Sequence, residues 1–119
     1  MVRSAAKNYN DVTVITSSNQ YDELIEELKK FKGSTSLSFR EKLSRIAFTE
    51  TAYYDSVISD YFNKKSNTIF PKKKVLHGIL TQQLRYGENP HQYSAIYSSS
   101  TNTNLKQIHG KQLSYNNYN

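Results

Sequence analysis

The stretch from Ser38 to Asn63 reads SFREKLSRIAFTETAYYDSVISDYFN. Its apolar residues recur at spacings of three and four, which is the period of one face of an α-helix. Ser38 and Glu41 form a capping-box pattern, a hydroxyl followed three positions later by a carboxylate. The sequence therefore predicts a long helix from about Ser38 to Asn63. Its predicted apolar face consists of Phe39, Leu43, Ile46, Ala47, Tyr54, Val57, Ile58 and Tyr61.

Three shorter elements are predicted before this helix. The segment from Val2 to Asn8 has a helix-forming composition, and Val12 to Thr16 is apolar on both faces, as buried parallel strands are. A second helix is predicted to open at Asn19, with Asp22 three positions later, and to stop at Gly33. Its apolar positions are Leu24, Ile25, Leu28 and Phe31. Because one buried strand cannot form a sheet, we expect a fragment that is incomplete at both ends.

The composition changes after the long helix. Residues from Asn63 to Lys74 are rich in Lys, Asn, Ser and Thr and show no apolar period, which indicates a linker or a domain boundary. Three extended segments are predicted beyond it, at Val75 to Leu80, Tyr93 to Tyr97 and Leu105 to Ile108. The polar run from Ser98 to Asn104 is predicted to be a hairpin-like loop.

Composition narrows the classes of function. The 119 residues are 36% apolar and carry a formal net charge of +6, which suits one small domain or parts of two and favours anionic ligands. The lack of cysteine excludes disulfide bonds, thiolate catalysis and cysteine-ligated zinc. No apolar run approaches the length of a membrane span, and polar residues follow Met1 where a signal peptide would have its apolar core. A cytoplasmic protein is therefore the default expectation.

The stretch from Leu84 to Gln92, LRYGENPHQ, is predicted to be a loop that holds a polar ligand. Gly87 supplies backbone freedom for a tight turn, and Pro90 biases the residue before it towards an extended conformation. The segment presents hydrogen-bonding side chains from Arg85, Tyr86, Asn89 and His91. From the residues alone, an ordinary structural role, with Arg85 paired to Glu88 and Tyr86 in the core, is equally acceptable.

Four motifs occur in order along the chain and carry a family resemblance. They are Arg3 to Asn8, then Thr49 to Asp55 with Ile58 to Phe62, then Leu84 to Gln92, and then His109 to Asn117. Together they resemble the bifunctional purine-biosynthesis enzymes, in which phosphoribosylaminoimidazolecarboxamide (AICAR) formyltransferase is fused to inosine monophosphate (IMP) cyclohydrolase. The resemblance spans nearly the whole chain.

The resemblance implies a domain organisation and a fold. Residues 1–66 would be the end of the cyclohydrolase domain, a three-layer α/β fold like methylglyoxal synthase. Residues 67–76 would be a linker, and residues 77–119 would be the first strands of the formyltransferase domain. It further implies a homodimer, nucleotide substrates (AICAR, formyl-AICAR and IMP) and 10-formyltetrahydrofolate as co-substrate, with that site largely outside this chain.

The resemblance also assigns site residues. Lys7 would be a catalytic cation of the cyclohydrolase site, where it stabilises charge on the formyl oxygen during ring closure, and Asn8 would bind substrate beside it. Arg85 and Tyr86 would contact the AICAR nucleotide. Asn89 and His91 are secondary candidates for substrate binding. The turn from Ser114 to Asn117 is given no chemistry, and the isolated chain is expected to be inactive because the family's remaining catalytic residues are absent.

Other functions fit parts of the sequence. Ten tyrosines beside an excess of Lys and Arg are typical of a nucleic-acid-binding module. Against this, Tyr53, Tyr54 and Tyr61 lie at core spacing on the long helix, so no nucleic-acid partner is expected. A non-catalytic interaction fragment is the second alternative, because an unfinished core exposes apolar surface. Metal-dependent hydrolysis is discarded, and no metal site is expected, because the three histidines lack the spacing of a zinc helix.

Overall fold

The computed structural model describes residues 1–99 and 107–118 of the chain. The chain divides into two compact units, Met1–Pro71 and Lys72–Asn119. The helices longer than one turn lie in the first unit and a two-stranded sheet lies in the second. The chain therefore has the mixed helix and strand content of the predicted α/β class. The point of division falls within residues 67–76.

Three α-helices form the first unit. Helix α1 is Val2–Lys7, α2 is Tyr21–Lys30 and α3 is Leu37–Lys65, and a short 3₁₀ turn at Ser18–Gln20 leads into α2. Each helix overlaps the segment predicted for it, because the periodic apolar positions that indicate a helix are a strong local signal. The ends of α2 and α3 differ from the prediction.

The caps of α2 and α3 involve residues other than those predicted. Helix α2 was predicted to open at Asn19, but it begins at Tyr21, and a capping box at Ser17 and Gln20 encloses the 3₁₀ turn that leads into it. Helix α3 is capped by Ser36, whose hydroxyl accepts a hydrogen bond from the Phe39 amide, so the predicted box at Ser38 and Glu41 is wrong. Several polar residues near each start have capping chemistry, and the tertiary partner selects one of them. For Ser36 that partner is Glu27 on α2, whose carboxylate accepts from both its amide and its hydroxyl.

The C-terminus of α2 ends in the region of the predicted glycine stop. The helix itself ends at Lys30, and Lys32 and Gly33 both have positive φ, at 53° and 93°. The Gly33 amide donates to the Leu28 carbonyl at 2.7 Å, which is the long-range bond of a Schellman cap. The residue that first takes the left-handed conformation is therefore a lysine, and glycine follows it.

The predicted strand from Val12 to Thr16 is not formed. The segment has no regular secondary structure, and no strand pairs with it among the described residues of the first unit. A strand needs a partner ladder, whereas this segment bonds locally: the Val12 amide donates to the Asn8 carbonyl and the Thr16 amide to the Gln20 side chain. Val14 is nevertheless buried, so the apolar signal marked a core segment.

The core of the first unit is small and lies where α1 and the segment from Val12 to Thr16 pack on the first half of α3. Its buried apolar residues are Ala6, Val14, Phe39, Leu43 and Ala47. Leu43 is the largest side chain that is fully buried. This packing brings the end of α1 onto α3, and it therefore positions the segment that carries Lys7.

The second half of α3 contradicts part of the predicted apolar face. Tyr54 is 66% exposed and Tyr61 59% exposed, and Val57 and Ile58 are also classed as exposed. Core spacing along a helix shows which residues share a face, but it does not show that a neighbour covers that face. Tyr54 and Tyr61 are therefore not core residues. Their predicted core position, which counted against nucleic-acid binding, is wrong.

The second unit is built on an antiparallel pair of strands, β1 (Ile79–Gln83) and β2 (Ala95–Ser98). The register places Leu80 opposite Tyr97 and Gln83 opposite Ala95, with an irregularity between Leu80 and Gln82. Both strands overlap predicted ones but lie further along the chain. The segment from Leu84 to Ser94 connects them and contains the predicted polar loop, which forms neither helix nor strand.

The rest of the second unit is described only in part. Of the predicted third strand, Leu105 lies outside the described residues, while Gln107 and Ile108 are described and are not in a strand. The predicted loop from Ser98 to Asn104 also lies mostly outside the described residues, and Ser98 itself belongs to β2. A 3₁₀ turn at Tyr115–Asn117 follows.

Candidate functional site

Lys7 and Asn8 lie at the C-terminal end of α1. Lys7 is the basic residue of the last turn, and both side chains are exposed. A cation is favoured at this position because the helix dipole places partial negative charge on the last carbonyls. The Asn8 amide donates to the Ala5 carbonyl at 3.0 Å. The Lys7 ammonium is thus presented to solvent from a backbone position that is held by hydrogen bonds.

The main chain on both sides of Lys7 is tied to α3. The buried Ser44 hydroxyl donates to the Ala6 carbonyl at 2.6 Å. The Asn8 carbonyl accepts from the amides of Asp11 and Val12, which closes a turn directly after the helix. Arg40 then donates to the carbonyls of residues 9 and 10 in this turn. The segment bearing Lys7 and Asn8 is therefore fixed by side chains that α3 supplies.

In the second unit, Arg85 and Tyr86 contact each other directly. The Arg85 guanidinium carbon lies 4.8 Å from the centroid of the Tyr86 ring, and its Nη2 donates to the Tyr86 hydroxyl at 3.2 Å. No ion pair joins Arg85 to Glu88 within residues 1–99 and 107–118. Arg85 is exposed and Tyr86 is half-buried, so the alternative in which Tyr86 is a core residue and Arg85 a salt-bridge partner does not describe this structure.

Two backbone hydrogen bonds join this loop to the C-terminal motif. The Arg85 amide donates to the Leu113 carbonyl at 2.8 Å, and the Tyr115 amide donates to the Tyr86 carbonyl at 3.1 Å. A third contact, from the Gln112 side chain to the Gln83 carbonyl at 2.9 Å, continues the pairing. Two of the sequence motifs are thus neighbours in space, and Ser114 is placed beside Tyr86.

Ser114 connects the two motifs through side chains. It is 3% exposed, and both its amide and its hydroxyl donate to Asn117 Oδ1, at 2.9 and 3.0 Å. The side-chain hydrogen bond between Ser114 and Tyr86, followed by the hydrogen bond and positive charge of Arg85, lowers the pKa of Tyr86 below its ordinary value. The arrangement therefore stabilises negative charge on the phenol oxygen.

The rest of the loop is closed by Gln92. The Gly87 amide donates to the Gln92 carbonyl at 2.8 Å, and the Asn89 amide donates to Gln92 Oε1 at 3.0 Å. A Cβ on Gly87 would lie 2.9 Å from the Gln92 Cβ, closer than such atoms approach. Close approach therefore explains this glycine, and Gly87 is not among the residues with positive φ.

His91 faces a surface cavity of about 630 Å³ in the second unit. Glu88 and Tyr115 also line it, with Gly87, Gln92, Tyr93 and Ser94. Arg85, Tyr86 and Asn89 are not among the residues that line this cavity. Asn89 instead contributes backbone atoms to the turn. The predicted site residues of the second unit therefore fall into two groups, the Arg85–Tyr86 pair and the cavity that contains His91.

Some residues of these groups were not predicted as functional. Ser114 and Tyr115 were given no chemistry, yet Ser114 is the largest cause of the lowered pKa of Tyr86, and Tyr115 lines the cavity beside His91. Arg40 was not predicted to have any role. Nothing in their spacing marks these residues, because each acts through a contact that is distant in the sequence. For Ser114 and Tyr115, the one available signal was their place inside the motif from His109 to Asn117.

The described residues contain neither a candidate metal site nor a helix that could span a membrane. No group of three or more His, Asp or Glu side chains in the described part of the chain could hold a metal ion. None of the helices described is both long and apolar enough to cross a membrane.

Comparisons with known proteins agree on one family. A family model described as "AICARFT/IMPCHase bienzyme" matches residues 5–119. The chain is 44% identical over 117 residues to "Bifunctional purine biosynthesis protein PurH" of Elusimicrobium minutum, which covers 98% of the chain and 23% of that relative. The protein of the same name from Bradyrhizobium diazoefficiens is 42% identical to the chain and covers 100% of the chain and 23% of the relative. The one from Limosilactobacillus reuteri is 45% identical and covers 98% of the chain and 24% of the relative.

These relatives are much longer than the chain, which spans about a quarter of their length. The match nevertheless extends over almost every residue of the chain, including both motif-bearing segments described above. The chain therefore belongs to the AICARFT/IMPCHase bienzyme family.

Proposed function

We propose that this chain serves de novo purine biosynthesis by supplying parts of two nucleotide sites. The family match over residues 5–119 is the observation that carries this proposal. The first unit would contribute Lys7 and Asn8 to an IMP cyclohydrolase site. The second unit would contribute Arg85 and Tyr86 to an AICAR formyltransferase site.

The role of Lys7 follows from charge and position. In the ring closure that yields IMP, the carboxamide nitrogen of formyl-AICAR attacks the formyl carbon, and negative charge develops on the formyl oxygen before water leaves. An ammonium held in a fixed place stabilises that charge more than solvent does. Lys7 is exposed while the backbone around it is tied to α3, which suits this role. Asn8 would hold the substrate through its side-chain amide.

The role of Arg85 and Tyr86 rests on their mutual contact. Among the described residues, one N–H donor of Arg85 is directed to the Tyr86 hydroxyl, and the planar guanidinium has five. The remaining donors would bind an anionic or carbonyl oxygen of AICAR in a bidentate manner, and Tyr86 would offer its ring edge and hydroxyl. The hydrogen bond from the Tyr115 amide to the Tyr86 carbonyl would hold the backbone of Tyr86 in place. His91, on the neighbouring cavity, and Asn89, in the turn beside it, are proposed as secondary contacts.

The finer organisation is proposed on the same grounds. Residues 1–66 would belong to a methylglyoxal-synthase-like cyclohydrolase domain, residues 67–76 would link it, and residues 77–119 would begin the formyltransferase domain. The formyl donor would be 10-formyltetrahydrofolate, to which we assign none of the residues above. The enzyme would act in the cytoplasm as a homodimer, on nucleotides and without a nucleic-acid partner.

The proposal is tested with a chimera of the Limosilactobacillus reuteri relative in which the matching segment is replaced by this chain. We expect the chimera to catalyse both formyl transfer to AICAR and cyclisation to IMP. Lys7→Ala should abolish cyclisation and leave formyl transfer intact, whereas Arg85→Ala should weaken AICAR binding and leave cyclisation intact. Arg45→Ala is the control, since Arg45 is exposed on α3 and carries the same charge. The isolated 119-residue chain should catalyse neither reaction.

Three results would contradict the proposal. The first is a chimera that lacks both activities, and the second is Lys7→Ala with normal cyclisation. The third concerns the nucleic-acid alternative, which the exposed tyrosines of α3 keep open. If the isolated chain bound single-stranded nucleic acid tightly, with an affinity that falls steeply with salt, and showed no preference for AICAR over inorganic phosphate, the nucleotide assignment would fail.

A further inference from the structure

Arg40 directs all three of its nitrogens to backbone carbonyls. Its Nε donates to the Tyr9 carbonyl at 2.8 Å, its Nη2 to the Asn10 carbonyl at 2.6 Å, and its Nη1 to the Thr35 carbonyl. Nη1 also lies 3.3 Å from the Thr35 hydroxyl. One half-buried side chain on α3 therefore joins the turn that follows α1 to the loop that precedes α3.

These contacts are directed at the segment next to Lys7. Helix α1 has six residues, too few to be stable alone, so its last turn depends on tertiary contacts. Ser44 fixes the carbonyl of Ala6 on one side of Lys7, and Arg40 fixes the carbonyls of Tyr9 and Asn10 on the other. Lys7 and Asn8 thus lie between two points that α3 holds.

The chemistry of the contact requires arginine. A planar guanidinium can direct donors to three carbonyls at once, whereas a lysine ammonium is a single point charge at the end of a flexible chain. No carboxylate forms an ion pair with Arg40 in the part of the chain that the structure describes. The guanidinium therefore serves to hold the backbone. A hydrogen bond between the Thr13 and Thr35 hydroxyls, at 2.8 Å, also ties the loop that precedes α3 to the segment that follows α1.

We infer that Arg40 is a positioning residue of the site that contains Lys7 and Asn8. It acts through the carbonyls of Tyr9 and Asn10, and it sets where the Lys7 ammonium lies when formyl-AICAR is bound. This inference rests on the proposed cyclohydrolase role of Lys7. A displacement of a catalytic group by about 1 Å can lower the rate about 100-fold, so loss of this contact is expected to affect turnover more than substrate affinity.

The first test compares Arg40→Ala, Arg40→Lys and the control Arg45→Ala in the chimera described above. We expect Arg40→Ala to lower kcat for cyclisation by about 10- to 100-fold with KM changed less than about 3-fold, and Arg40→Lys to recover only part of the loss. Formyl transfer should be unchanged in all three variants, which shows that the unit carrying Arg85 and Tyr86 is intact. Lys7→Ala is measured in parallel. If Lys7→Ala does not affect cyclisation, the proposed function fails; if only Arg40→Ala is without effect, this inference alone fails.

The second test is chemical rescue. Guanidinium ion at millimolar concentration should restore part of the cyclisation rate of Arg40→Ala, because it can occupy the vacated position between the carbonyls. The same concentration of sodium chloride should not. A loss of general stability would not be rescued in this way, since guanidinium destabilises folded proteins. An Arg40→Ala variant that guanidinium does not improve, and whose KM and kcat change together, would overturn the inference.

The third test uses the isolated chain and needs no activity. Amide hydrogen exchange is measured at Asp11 and Val12, whose amides donate to the Asn8 carbonyl. Arg40→Ala should speed exchange at these two amides at least 10-fold relative to the amides of the second half of α3, and Arg45→Ala should not. This measurement tests the contact separately from the proposed function, and equal exchange in Arg40→Ala and Arg45→Ala would overturn the inference.

Discussion

Replacing Ser44 with alanine should destabilise the first unit through a single carbonyl. Ser44 is 6% exposed, and its hydroxyl donates at 2.6 Å to Ala6, which is fully buried. Ala6 lies in the last turn of α1, where carbonyls have no partner within the helix. The substitution therefore leaves a buried acceptor without its hydrogen bond, which costs about 1–3 kcal/mol of unfolding free energy.

Ser56→Ala is the matched control. Ser56 is 3% exposed, but its hydroxyl donates to the Tyr53 carbonyl within α3, and that carbonyl keeps its place in the helical ladder when the hydroxyl is removed. Both substitutions gain the same helix propensity, about 0.5 kcal/mol for alanine over serine, so this gain cancels in the comparison. The difference between the two variants should therefore be about 1–3 kcal/mol.

The assay is urea unfolding of the isolated chain and both variants, followed by far-ultraviolet circular dichroism and extrapolated with a common slope. Amide exchange in α1 provides a second measurement, since this helix should open in Ser44→Ala and stay closed in Ser56→Ala. A difference in unfolding free energy below about 0.3 kcal/mol, the usual additivity error, would refute the reasoning. It would mean that the Ala6 carbonyl is satisfied in some other way.

Three further substitutions test other features. Leu43→Ala removes the largest fully buried side chain and should lower the free energy of unfolding of the first unit by about 2–5 kcal/mol. A thermal melt should show a large fall in Tm, and a shift of only a degree or two would contradict this. Gly87→Ala should open the turn closed by Gln92 at a cost of about 1–3 kcal/mol, measured as loss of protection at the Gly87 position, and full protection would contradict the proposed clash. Glu27→Gln tests pH dependence. Hydrogen bonds from the side chain and backbone of Ser36 lower the pKa of Glu27. The stabilisation is therefore fully present above the ordinary glutamate pKa, which is near 4, and it is lost as the pH falls through the lowered pKa. The Tm of the variant should thus approach that of the parent chain at low pH, and a constant difference from pH 2 to 7 would contradict the assignment.

The helices were predictable because their signal is local. The period of Phe39, Leu43 and Ala47 is contained in two turns, and these residues do form the core. The same period continued through Tyr54 and Tyr61, where it failed to predict burial. Burial depends on what packs against the face, and no pattern within the helix contains that information.

Caps and strand pairing were harder to predict for a related reason. Ser36 and Ser38 are equivalent as capping residues in a sequence, and the Glu27 carboxylate that favours Ser36 lies on another helix. The segment from Val12 to Thr16 has strand composition, but a strand exists only with a partner. Local propensity therefore located these segments but did not predict their hydrogen bonds.

The candidate site was predicted to the extent that motifs carried it. Arg85 and Tyr86 were predicted to contact the nucleotide, which stays a prediction, and the structure adds that the two side chains contact each other. The contribution of Ser114 was not predicted, because it reaches Tyr86 through two backbone bonds that join segments far apart in sequence. The division of Arg85 and His91 between two surfaces follows from the turn that Gln92 closes, and the order of the residues gives no indication of it.

The contacts that hold the Lys7 segment have a consequence for the order of folding. Ser44 bonds a carbonyl 38 positions earlier in the chain, and Arg40 bonds one that is 31 positions earlier. Contacts between distant positions carry the cost of closing the intervening chain, so they form after local helical structure. During refolding the Lys7 segment can therefore be fixed only after the first turns of α3 have formed. We expect this segment to be the last part of the first unit to become protected from protease.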